Sequence, residues 1–408
     1  MSDNHNDYAD SVVPAHARRP WVNILFVWLG FIIVVGIMAV GGGMAPQMTA
    51  KDFFTAIIVG NIVLGAFALI SGYVGADSGK TFNQLMSQVF EGFSWRIVSL
   101  YVPIILIGWF GVEAAIFGKL LGEIFDLSLT QSRVIMFSAT LIFATTSYLG
   151  FSAIRLVSIV AVPLIVIIGL YALYLASGNS DLRFATASNR LTVDAGIAIV
   201  MGSWIMGVLT CVPDLTRYSK SRMSGALVAA SGILLGNIFT FSVGGVAAAF
   251  AGESDPAKLL ISFGFIPFAV LLALANIWTT NDNNMYSAAL NISRATGVKR
   301  TTAVIICALI AAPFAAMDPT SMDFLFTFLI FMGNTAPALG GVVLGAYLWN
   351  RFSSRQINSI AGGWAGWLLG SYAGFLVGNI WSIPIGFLTG FSIWLIFSII
   401  NTRTSRNT

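Results

Sequence analysis

The stretch Asn276-Ile277-Trp278-Thr279-Thr280-Asn281-Asp282-Asn283-Asn284 sets two adjacent hydroxyls, one acid and four side-chain amides inside an otherwise apolar run. Hydrocarbon offers such groups no hydrogen-bond partner. At membrane depth they must therefore face a cavity, an ion or another helix, and they mark a functional site. The stretch predicts a binding helix of a transporter, within an all-α polytopic membrane fold.

Composition agrees with a membrane chain. Hydrophobic residues make up 57% of the 408 and charged residues only 9%, a balance foreign to soluble domains of this size. The formal net charge of +4 comes from basic residues scattered singly between apolar runs, so a nucleic-acid partner is not expected and their role is topological. The first twenty residues are polar and no small-residue cleavage site follows the first apolar run, which predicts no cleaved signal peptide. Cys211 and Cys307 fall inside apolar segments and are expected to be buried small residues rather than a disulfide or a metal site.

Apolar runs long enough to cross about 30 Å of hydrocarbon number twelve. They cover residues 21–41, 53–76, 95–122, 133–150, 153–177, 192–212, 225–251, 258–291, 303–317, 322–350, 361–379 and 381–400. With the N-terminus inside, Lys51, Lys119, Arg133, Arg183, Arg190 and Lys258 fall outside. The other fifteen of the 21 basic residues fall on the cytoplasmic side, the bias expected of a correctly counted topology. Both termini are then cytoplasmic, as polar tails at 1–20 and 401–408.

The first span carries Gly30, Gly36 and Gly41-Gly42-Gly43, and the sixth carries Gly202, Gly207 and Pro213. Such residues weaken or break the helical ladder and free backbone groups for a ligand, although each glycine alone could serve close helix packing. The two spans open successive five-helix blocks, 21–177 and 192–350, with 361–400 holding the last two spans. Because five is odd, the second block is inverted relative to the first, the layout of a secondary transporter with a midplane site between repeats.

The midplane of the third span reads Gly108-Trp109-Phe110-Gly111-Val112-Glu113, and that of the sixth Gly202-Ser203-Trp204. Trp109 and Glu113 are four apart and share a helical face with Leu106. Trp109 and Trp204 could form a slot for a flat ring, each contributing about 1 kcal/mol of stacking; packing is the competing role. Glu113 and Asp282 are the two acids near the centre of a span, and a lone carboxylate there is costly unless partnered or protonated. Ser203, Asn281 and Asn284 are further hydrogen-bonding candidates. Thr279 and Thr280 could instead bond back to carbonyls one turn earlier. Pro213-Asp214 could simply end the sixth span, with Asp214 pairing Arg217 at the cytoplasmic surface. No nucleophile motif or metal cluster points to an enzyme, and isolated aromatic and amide groups on non-equivalent helices do not suit a channel.

The stretch 276–283, with Gly108-Trp109-Phe110-Gly111-Val112 and Pro213-Asp214-Leu215-Thr216-Arg217-Tyr218, resembles the bacterial cytosine permeases of the purine and pyrimidine nucleobase cation symporter family. The resemblance implies the inverted-repeat fold of the sodium-coupled leucine transporter, in a bacterial inner membrane. It implies a bundle of spans 1, 2, 6 and 7 rocking against a scaffold of 3, 4, 8 and 9, and a base stacked between aromatic rings at Trp109 and Trp204. Cytosine permeases carry glutamine at the place of Leu106, phenylalanine at that of Trp204 and serine at that of Met206, while Ser203 is retained. The related hydantoin permease has a glutamine where this chain has Glu113.

An ionised glutamate only accepts hydrogen bonds, so a ligand with two adjacent N–H groups suits it, whereas a protonated Glu113 would admit uracil-, hydantoin- or allantoin-like ligands. By resemblance the coupling ion is sodium, held by the hydroxyls of Thr279 and Thr280 and the carbonyls of Gly30, Ile33 and Asn276. Coupling to a proton through Glu113 or Asp282, with hydantoin-, allantoin- or thiamine-precursor-like substrates, is the alternative. No other cofactor is expected.

Overall fold

The computed structural model describes residues 8, 11–178, 182–186, 191–253, 255–354 and 356–407. The apolar runs fold as eighteen α-helices, and no strand occurs among the described residues. The first half comprises α1 (Trp21–Ile32), α2 (Val35–Met44), α3 (Ala50–Ser78), α4 (Phe82–Val89), α5 (Ser94–Val98), α6 (Tyr101–Ile124), α7 (Leu129–Leu149) and α8 (Phe151–Ser177). The second comprises α9 (Val193–Met206), α10 (Val212–Thr216), α11 (Arg222–Gly232), α12 (Ile238–Ala251), α13 (Pro256–Ser262), α14 (Ile266–Thr296), α15 (Arg300–Ala316) and α16 (Met322–Phe352). The chain closes with α17 (Ile360–Val377) and α18 (Ser382–Asn407).

Helix ends follow local chemistry. Thr81 and Ser128 open α4 and α7 with capping boxes to Gln84 and Gln131, and Gly79, Gly297 and Gly378 close α3, α14 and α17 in the left-handed conformation.

Nine helical segments among the described residues are long and apolar enough to cross a bilayer. Two bent pairs bring the number to eleven: α1 with α2 at 56°, and α14 with α15 at 115°. At 31 residues α14 is about 46 Å long, ample for a crossing, but the polar stretch within it lowers its apolarity.

Several expected boundaries move. The first span does break, but at Ile33 and Val34 rather than at any of its glycines; Val34 is extended, at φ −128° and ψ 135°, a conformation that suits a β-branched residue. The sixth span does not break. It passes through a wide π-helical turn at Gly207–Cys211 into α10, so Gly202 lies in unbroken helix. A second π-helical turn, Ile233–Asn237, joins α11 to α12. The expected eighth span loses its first residues to α13, which puts Lys258 in a separate short helix. Neither terminus is a free polar tail throughout: Val13 and Ala17 are buried, and α18 runs on to Asn407. His5, Arg190 and Arg355 lie outside the described residues.

Packing divides the helices into sets. α3 lies against α9, α10 and α11, and α2 against α12, while α6, α7, α14 and α15 pack on one another. α8 touches α1, α12 and α14, and α16 to α18 form a further layer. Apolar side chains such as Leu170, Tyr174, Leu235 and Leu309 are exposed on the periphery. The polar side chains of the α14 stretch are buried in the interior, none more than 4% exposed. Cys211 and Cys307 are free and buried.

Candidate functional site

The break between α1 and α2 leaves orphan backbone groups, as every helix end does, and Asn276 satisfies two of them. Its Nδ2 donates to the Ile33 carbonyl at 2.6 Å and its Oδ1 accepts from the Val35 N–H at 2.8 Å. The sequence marks Asn276 only as a carbonyl donor; its amide proves to be the clamp that fixes α14 to the broken helix. No sequence signal identified that side-chain role.

Beside this clamp stand the two threonines expected to hold a cation. Thr279 Oγ1 donates to the carbonyls of Ala275 and Asn276, each at 3.0 Å, and Thr280 Oγ1 donates to Asn276 O at 3.1 Å. Both hydroxyls thus make the back-bonds of the competing reading, yet each keeps lone pairs for a cation. Gly30 packs closely on Thr279 and Ser158: a Cβ there would stand 3.2 Å from Thr279 Cβ and 3.0 Å from Ser158 Oγ. Ser158 Oγ is itself buried without a hydrogen-bond partner.

A cavity of about 570 Å³ opens next to the break. Trp109, Glu113, Ser203, Trp204, Thr280 and Asn284 line it, together with Leu106 and Met206. Trp204 is held edge-on by Phe31 (ring centroids 5.0 Å apart) and Trp28 (5.9 Å). Trp109 leans on Phe328 at 5.5 Å and directs its Nε1 to Met332 Sδ at 3.3 Å. The two tryptophans contribute to the same cavity without stacking on each other. Ser203 Oγ donates to Val200 O at 2.7 Å. Glu113 is 2% exposed, with Oε2 buried and unpartnered. Its Oε1 faces the bare Gly36 in the first turn of α2, where a Cβ would approach to 3.3 Å.

Two polar residues of the α14 stretch lie away from this wall. Asn281, expected at the ligand, is fully buried and donates to Phe110 O at 3.3 Å, in the packing of α14 on α6. Asp282 faces α7: its Oδ1 accepts from Thr146 Oγ1, its carbonyl accepts from Ser147 Oγ at 2.8 Å, and Trp278 Nε1 donates to Thr146 Oγ1 at 2.9 Å. Successive residues of a helix point about 100° apart, so one polar run serves several faces.

The cavity extends to Glu253, Asp255, Lys258 and Thr320, on the face opposite the N-terminal segment. These mouth residues carried no sequence signal beyond charge. Lys258 pairs with Glu123 at 2.7 Å, and Lys119 with Asp318 at 3.3 Å. The other face is sealed. Arg18 Nη1 donates to the carbonyls of Ala76 and Ser219, both at 3.1 Å, and the Val13 N–H donates to Gly79 O at 3.0 Å. Arg217 is fully buried rather than at the surface; it donates to Asp214 O at 3.0 Å and to the hydroxyls of Tyr218 and Tyr286 at 3.2 Å. Asp214 Oδ1 accepts from the Phe82 N–H at 2.8 Å, which ties α10 to α4.

Among solved structures, Mhp1, a nucleobase-cation-symport-1 family transporter, in a closed conformation with bromovinylhydantoin bound, superposes with a TM-score of 0.81 at 18% identity, covering 100% of this chain and 96% of that one. A sodium-coupled sialic acid symporter in a substrate-bound outward-open state gives 0.69 at 12% identity, covering 98% and 92%. At such identities the likeness establishes the fold: the architecture of these symporters. In sequence, the cytosine permeases of Escherichia coli K12 and O157:H7 are 30% identical over 356 residues, 85% of this chain and 82% of theirs. Residues 12–364 match the family described as permease for cytosine/purines, uracil, thiamine, allantoin. With that span matched, the chain belongs to this permease family and is a multi-pass membrane transporter, not an enzyme.

Proposed function

We propose that this permease imports a nucleobase-sized heterocycle, of cytosine or purine type, by sodium symport with alternating access. In this reading α14 and α15 are separate crossings, the twelve spans stand in a bacterial inner membrane with both termini cytoplasmic, and the cavity faces outward. Trp109 and Trp204 hold the ring, while Glu113, Ser203 and Asn284 read its edge. The observation that supports the proposal is the α1–α2 break itself, clamped by the Asn276 amide at Ile33 and Val35, with Gly30 packed on Thr279 and with Thr280 lining the adjacent cavity. Sodium is a hard cation that takes oxygen ligands, and neutral oxygens freed at a broken helix supply them without a carboxylate. Thr280 reaches both regions, so ion and base each order the other's site, and each tightens the other's binding by the same factor.

Substrate binding to the purified protein, with sodium titrated against choline at fixed pH, tests this directly. Affinity should rise with sodium, and Thr280→Ala should abolish the dependence. Affinity indifferent to sodium, or full dependence retained in Thr280→Ala, refutes the sodium site. A second reading couples a hydantoin-, allantoin- or thiamine-precursor-like substrate to a proton through Glu113, and the carboxyl at the cavity wall favours it. Glu113→Gln then keeps uptake and loses its pH dependence.

A further inference from the structure

The hydrogen bonds of the cavity wall are unequally spent. Ser203 gives its proton to Val200 O and Thr280 gives its own to Asn276 O, so toward a ligand both hydroxyls are left as acceptors. Trp109 Nε1 is directed to Met332 Sδ. Lys258, the one cation lining the cavity among the described residues, is paired with Glu123. Against this, Glu113 brings a carboxyl group with Oε2 buried and unpartnered, set opposite Gly36, where no side chain intervenes; a ligand that donates to both oxygens is what would hold it ionised. Among the described side chains of the wall, the Asn284 amide is the donor left for a ligand, beside the backbone N–H of Gly36 at the start of α2; Trp204 Nε1 is buried without a partner. The wall is therefore rich in acceptors, and a buried acceptor left unmade is costly.

Resting on the symporter reading above, we propose that the ring carried presents two adjacent N–H donors to Glu113, an exocyclic amine beside a ring N–H. Guanine and isocytosine offer that edge. Cytosine does not, because its 4-amino group sits beside the acceptor N3 and leaves one Glu113 oxygen facing a lone pair. A carboxylate and a paired donor edge meet through two parallel hydrogen bonds, the geometry that makes guanidinium–carboxylate pairs strong. Anionic heterocycles are disfavoured on the same ground, since among the described residues the wall offers them no free cation.

The test is equilibrium binding of radiolabelled guanine to purified full-length protein in saturating sodium, with unlabelled isocytosine, hypoxanthine, cytosine, uracil and hydantoin as competitors. Guanine and isocytosine should bind about 10- to 100-fold more tightly than hypoxanthine and cytosine, which lack one donor of the pair. Glu113→Gln, whose amide offers one donor and one acceptor, should shrink that gap and bring cytosine level with isocytosine. Hypoxanthine equal to guanine in the wild type, or a preference that survives in Glu113→Gln, overturns the donor-edge proposal and leaves the symporter intact. If Glu113→Gln does not fold, the wild-type ranking alone decides. Tightest binding of uracil or hydantoin also overturns it. Binding of no heterocycle in the panel defeats the symporter reading as well.

Discussion

At the scale of single residues, Asn276 and Trp109 make the most pointed predictions. Replacing Asn276 by Ala strips the Ile33 carbonyl and the Val35 N–H of their partners, two buried groups at about 1–3 kcal/mol each. Thermal unfolding in detergent should show a clear loss of stability, and an unchanged midpoint would mean that water replaces the amide at no cost. Asn276→Asp keeps an acceptor for Val35 but cannot donate to Ile33 while ionised, so it should remain destabilised. Trp109→Ala removes one ring from the cavity wall and should raise the half-saturation concentration for uptake about tenfold or more, since area burial and stacking are lost together. Equal transport at equal surface expression would remove Trp109 from the binding site. Asn281, bonded to the α6 backbone, should instead affect stability more than substrate affinity.

At the scale of elements, the contact of α2 with α12 decides how closely the broken helix is held. A Cβ on Gly244 would collide with the Met38 carbonyl, and one on Gly41 would lie 2.5 Å from the Phe241 carbonyl, whereas one on Gly43 meets nothing within 4 Å. Backbone against backbone cannot yield by a rotamer change, so Gly244→Ala must push the two helices apart. The expected cost is about 1–3 kcal/mol or more, read as a lowered unfolding midpoint. Gly43→Ala serves as the neutral comparison, and equal midpoints for the two variants would show that the contact adapts. The π-helical turn at Gly207–Cys211 belongs to the same level, for it lets α9 continue where glycines predicted interruption, and a second at Ile233–Asn237 carries α11 into α12. Glycine content marked the first and sixth spans as irregular without locating the irregularity. It did not show whether weakness resolves as a break, a wide turn or a tight contact, because the neighbouring backbone selects among these.

At the scale of the whole molecule, one face is open and the other is sealed by the N-terminal segment, Arg18 and Arg217. Removing Arg217 leaves the Asp214 and Tyr8 carbonyls it serves short of a donor and should shift the population toward a state open on the sealed face. A cysteine placed at Ser287, 1% exposed on α14, with Cys211 and Cys307 first replaced, should then react faster with a membrane-impermeant maleimide in inside-out vesicles. An unchanged rate would locate the seal elsewhere. The membrane class, the helical repeat of apolar runs and the importance of residues 276–284 were legible from sequence because burying polar groups in hydrocarbon is so expensive that few arrangements are permitted. Trp109, Glu113 and Trp204 stood out for the same reason, as bulky or charged groups at mid-span. The tertiary structure alone decided that Ile33 and Val34 form the break, that the Asn276 amide spans it, and that Asn281 and Asp282 turn away from the cavity that Thr280 and Asn284 line. These are questions of which face of a helix meets which neighbour, and that is fixed by contacts between residues more than 100 positions apart, which local sequence pattern does not encode.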